Sequence, residues 1–84
     1  MKEFVEYIVK QLVEYPDKVV VTEDEVDGRT VVSVKVEKPD MGKVIGRRGQ
    51  NADAIRLLLV AYGKRIKRDV RFNIIDEERD GIQS

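Results

Sequence analysis

Residues 44 to 51 read VIGRRGQN, two arginines held between two glycines after an apolar pair. The chemistry open to such a stretch is the binding of anions. Gly46 and Gly49 lack Cβ atoms, so the backbone can take positive φ values and a ligand can approach the main chain closely. Arg47 and Arg48 carry planar guanidinium groups whose donors fork onto phosphate oxygens. With a helix starting after Gly49, the free N–H groups of its first turn, at Gln50 and Asn51, and the positive end of its dipole favour phosphate further. The competing reading is a plain turn between two helices.

Other chemistries are short of parts. The 84 residues include no cysteine and no histidine, which removes disulfides, the usual zinc ligands, thiol nucleophiles and imidazole acid–base catalysis. No nucleophile–base set stands out, and scattered carboxylates such as Glu77 and Glu78 remain, so neither an enzyme nor a bound metal or cofactor is expected. No apolar run is long enough to span a membrane, and acids interrupt the N-terminal MKEFVEYIVK, which fits no secretory signal; a cytoplasmic protein is expected. The net charge is zero, but it is segregated. Residues 1 to 40 hold six Lys/Arg against ten Asp/Glu, residues 41 to 72 nine against two, and residues 73 to 84 one against four. The cationic segment contains the arginine pair, as expected of a surface that meets a polyanion.

The elements that must position this stretch can be read from periodicity. Phe4, Val5, Ile8, Val9, Leu12 and Val13 form one helical stripe, predicting a helix over 2–14 that stops before Pro16. Two β-branched runs, VVVTEDEV and RTVVSVKVE, flank Asp27-Gly28, a hairpin signal because both central turn residues need positive φ. Asp40 is placed as N-cap of a short helix MGKVI. After GRRG a longer helix is predicted over 50–62, with Gly63 as its stop, and Val70, Phe72 and Ile74 then alternate with polar residues in a third strand. The order helix, strand, strand, short helix, long helix, strand describes an α+β domain of three strands with helices on one face.

Val44-Ile45-Gly46-Arg47-Arg48-Gly49 resembles the VIGxxG core of KH domains, whose GxxG loop clamps nucleotide backbone. The helix after it and the α-β-β-α-α-β order are similar to the bacterial, type II KH arrangement. The resemblance covers residues 2 to 75, assigns residues 1–76 to one KH domain, and leaves 77–84 as a polar, flexible tail. With GKVIGRRGQNADAIRLLL through its middle, the chain is identified as a member of the small single-KH RNA-binding family called KhpA. That resemblance implies single-stranded RNA as ligand, an RNA chaperone or post-transcriptional regulator as role, and pairing with itself or with a larger KH-containing protein; it leaves open whether single-stranded DNA is also a ligand. It further implies that Val44 and Ile45 floor the base groove, Ile45 reading equally well as core, and that Lys43 and Arg56 flank it, while Arg47, Arg48 and the amides of the loop hold the backbone.

Two surfaces are left with alternatives. The run Lys64, Arg65, Lys67, Arg68 and Arg71 reads as a solvated sheet face more than as a second RNA site, with Lys67 and Arg71 on one face of the third strand and Arg68 on the other. On the long helix, Ile55, Leu58, Leu59 and Tyr62 make the core stripe, and Leu57, Val60 and Ala61 lie toward the other side. Those three are covered by the first helix or form a partner surface. A KH-like fold that pairs through this helix without binding RNA is the alternative function.

Overall fold

The structure, a computed structural model, describes residues 1–75. The polar segment 77–84 and the C-terminal boundary at 76 lie outside the described residues. Helix α1 (Lys2–Leu12) leads into strand β1 (Val20–Val26), which pairs antiparallel with β2 (Arg29–Lys35). A short helix α2 (Met41–Ile45), a 3₁₀ turn (Arg47–Gly49), the long helix α3 (Gln50–Arg65) and strand β3 (Asp69–Ile75) complete the order expected from the sequence.

β2 is the central strand, and β3 runs parallel to it in the order β1-β2-β3. Parallel neighbours cannot be joined by a tight hairpin, so the chain between β2 and β3 must cross the sheet, and α2 and α3 are that crossover. The arginine pair therefore sits in the middle of the connection. On the covered face of β2, Thr30, Val32 and Val34 are buried and pair in register with Val70, Phe72 and Ile74 of β3. Val5 and Val9 of α1 and Ile55 and Leu59 of α3 close the core above them. At the β1–β2 turn Asp27 and Gly28 both have positive φ, 51° and 79°, as the Asp-Gly pair requires.

The third helix departs from its expected form. It passes through Gly63 and ends at Arg65, because Gly63 serves helix–strand packing and is no stop. A Cβ there would meet the Arg68 carbonyl oxygen at 2.6 Å and Val70 Cγ2 at 2.8 Å. That close approach turns the stripe Ala52, Ile55, Leu59 and Gly63 to the sheet and leaves Leu58 and Tyr62, expected in the core, half exposed. The helix ends in a paired reverse turn. Arg68 N–H donates to the Gly63 carbonyl (2.7 Å) and Lys67 N–H to the Lys64 carbonyl (3.3 Å), with Lys67 at φ 59° where glycine is usual. Lys67 and Arg68 are thus in a turn and not on the strand predicted for them.

α1 packs on β1 and α2 and leaves Leu57 and Ala61 of α3 exposed. An apolar groove of about 410 Å³, lined by Met1, Phe4, Leu58, Leu59 and Tyr62, separates the two helices.

Candidate nucleic-acid interface

α2 is only five residues long and is held by groups distant in sequence. Asp40, expected to cap α2, makes no capping hydrogen bond. Its buried carboxylate instead reaches across to the end of α1, accepting from the N–H of Glu14 (Oδ1, 3.0 Å) and of Tyr15 (Oδ2, 3.0 Å), with Lys43 Nζ 3.6 Å away. Burial by itself would raise the pKa of this carboxyl; the two main-chain donors and the Lys43 ammonium outweigh it and hold the group below its ordinary value. One aspartate thus satisfies two amides left open after α1 and fixes where α2 begins.

At the other end of α2 the chain enters Gly46 at φ 79°, ψ 173°, a region open in practice to glycine alone. Space demands glycine as well, since a Cβ would lie 2.7 Å from Asn51 Cγ. Asn51 Nδ2 donates to the Lys43 carbonyl (2.8 Å), a last-turn oxygen of α2 that has no partner within so short a helix. Asn51 therefore braces α2 against α3 across the turn.

Within the turn, the Gly49 N–H donates to the Gly46 carbonyl (3.1 Å) and the Gln50 N–H to the Arg47 carbonyl. The N–H groups of Arg47 and Arg48 take no carbonyl of the turn. Arg48 itself is left-handed (φ 56°, ψ 26°), as is Gly49 (φ 76°, ψ 12°). Arg47 and Arg48 are exposed, and among the described residues neither side chain has an ion pair or hydrogen bond.

From this turn, α3 runs beside β3, and the two elements border a second cleft of about 410 Å³, lined by Arg56, Val60, Asp69, Val70, Arg71 and Phe72. Arg56 is bound to Asp53 (2.9 Å) and lies 6.0 Å from the centroid of the Phe72 ring. Arg71 and Arg29 share Asp69, at 3.1 and 3.2 Å. Among the described residues no group of three or more His, Cys, Asp or Glu is placed to hold a metal ion, and no helix is long and apolar enough to cross a membrane.

The chain matches the KhpA/KhpB KH-domain family over residues 2–74, from α1 through nearly all of β3. It belongs to that family. The RNA-binding protein KhpA of Listeria monocytogenes is 42% identical over 76 residues, which cover 90% of this chain and all of that protein. Those of Halalkalibacterium halodurans (44% over 77 residues, 90% of this chain) and Chlamydia pneumoniae (40% over 78 residues, 93% of this chain) are also covered in full. No solved structure matches.

Within this KH domain the residues singled out from the sequence separate into different places. Gly46, Arg47, Arg48 and Gly49 form the exposed turn, with Arg56 along α3. Val44 has no exposed surface and belongs to the core, so of the apolar pair only Ile45 is presented outward, at 37%. Lys43 is engaged by Glu14 (3.4 Å) and Asp40 (3.6 Å). Gln50 is exposed, but its main-chain N–H is taken inside the turn and is closed to a ligand. Asn51 positions the turn. Of the three residues assigned to a partner surface, Leu57 (70% exposed) and Ala61 face outward, whereas Val60 walls the α3–β3 cleft. The cleft residues Val70 and Phe72 were legible only as strand core, and the Asp40 tie spans 25 and 26 residues, beyond the reach of any local pattern.

Proposed function

We propose that this chain is a non-enzymatic, cytoplasmic binder of single-stranded RNA that holds the sugar-phosphate backbone at the Gly46–Gly49 turn and lays bases toward the cleft between α3 and β3. The observation that carries this reading is the state of Arg47 and Arg48, two exposed side chains with no carboxylate partner among the described residues, on a turn in which their own N–H groups take no carbonyl. Its relatives are named RNA-binding proteins, which supports the same ligand class. The charged groups of the cleft, Arg56, Asp69 and Arg71, are already held in ion pairs and its one aromatic side chain, Phe72, is buried, so sequence preference is loose and single-stranded DNA is accepted as well.

The test is a titration of short single-stranded RNA at about 50 and about 200 mM salt against wild type and the Arg47→Asp/Arg48→Asp double variant. Each charge-assisted contact is worth ~1.5–3 kcal/mol, so the variant should lose at least about tenfold in affinity. The slope of log affinity against log salt should flatten by about 1.4, some 0.7 for each lost phosphate contact. Both side chains are exposed and Asp tolerates the left-handed position of Arg48, so the melting temperature should hold. Wild-type binding by the variant contradicts the assignment.

The exposed apolar side of α3 around Leu57 and Ala61 supports a second element of the reading, pairing with another KH-containing chain, a second copy included. Sedimentation should show self-association that Leu57→Glu abolishes; a strict monomer at high concentration removes this element.

A further inference from the structure

The cations of the described chain differ in what already occupies them. Arg29 and Arg71 share Asp69, Arg56 holds Asp53, Arg68 is locked to Glu25 and Thr30, and Lys43 stands between Glu14 and Asp40. Beyond α1 and the turn after it, the cations left without a partner gather at the two ends of α3: Arg47 and Arg48 before it, and Lys64, Arg65 and Lys67 after its cleft-lining half. Lys64 follows Arg56 and Val60 at four-residue steps, so it continues the stripe of α3 that walls the cleft. Lys67 comes next, in the left-handed turn that opens β3. Arg65 is turned ~100° round the helix from Lys64, toward the side of Leu58 and Ala61.

We propose that Lys64 and Lys67 form a second phosphate-binding station, which takes the strand where it leaves the α3–β3 cleft and lets this domain engage RNA longer than the stretch held at the GRRG turn. The inference rests on the RNA-binding reading above. α3 has sixteen residues and is therefore about 24 Å long, roughly seven nucleotides at a stacked rise of ~3.4 Å, more than the four that a KH loop clamps. The carboxylate nearest in the chain, Asp69, is already shared by two arginines. Cations also favour a helix C-terminus through its dipole, but that effect serves Arg65 as much as Lys64 and so can be separated from a phosphate contact.

The experiment compares a single-stranded tetranucleotide with a decanucleotide RNA on four proteins: wild type, Lys64→Gln/Lys67→Asn, Arg65→Gln, and Arg47→Asp/Arg48→Asp, each checked by thermal melting. The lysine variant should bind the tetranucleotide as wild type does, lose roughly tenfold on the decanucleotide, and show a salt slope there lower by about 1.4. Arg65→Gln should leave both oligonucleotides unaffected. Wild-type binding of the decanucleotide by the lysine variant, or an equal loss in Arg65→Gln, overturns the second station and leaves the first reading standing. Retained binding of the tetranucleotide by the arginine variant is a failure of the RNA reading itself.

Discussion

Gly46 shows how much of the site rests on single residues. Its backbone lies in a region that other residues enter at a cost of about 1–3 kcal/mol, and Asn51 already fills the space where a Cβ would go. Gly46→Ala should therefore destabilise the domain by about 2 kcal/mol, measured by urea unfolding, and should break the brace from Asn51 to the Lys43 carbonyl. The need for glycine here was legible, since VIGRRGQN sits between two helical patterns. The reason for Asn51 was not: nothing in its neighbours says that its amide closes the end of α2. Arg48 carries a smaller strain, and its left-handed backbone turns its side chain out of any helical stripe.

Elements in this fold are tied by contacts that the local sequence does not announce. The hairpin was legible because Asp27-Gly28 sets its own geometry, and α1 was legible because apolar periodicity is local. Asp40 looked like a helix cap and joins α1 to α2 instead, and Gly63 looked like a helix stop and is a packing site; both depend on groups that only the folded chain brings near. The Asp40 tie predicts a pH dependence. Its folded pKa lies below the ordinary 3.8, so its contribution to stability is complete above that value and is lost as pH falls through the lower, folded one. Asp40→Asn, which must turn an amide toward one of two main-chain donors, should lower the melting temperature at neutral pH. That gap from wild type should close as the solution is acidified below 3.8. A gap independent of pH would show that the carboxylate charge is not what holds α1 to α2.

At the scale of the whole molecule, a net charge of zero conceals a division of labour. The acidic N-terminal half supplies α1 and the hairpin, and the cationic segment supplies the crossover that bears the GRRG turn and α3. The element order and this segregation were legible in the sequence. The parallel pairing of β3 was not, because it joins segments about forty residues apart, and neither were the cleft between α3 and β3 nor the split between occupied and unoccupied cations, which depend on how side chains of neighbouring elements meet in the folded chain. The central claim is that an RNA backbone docks on the open main chain and guanidinium groups of the turn. It is tested most directly by following the backbone amide resonances of the isotopically labelled protein as single-stranded RNA is added. The account predicts that Arg47 and Arg48 shift most, with weaker changes along the α3–β3 cleft and a silent hairpin. Large shifts confined to the hairpin or the outer sheet face, with the GRRG amides unmoved, would contradict it.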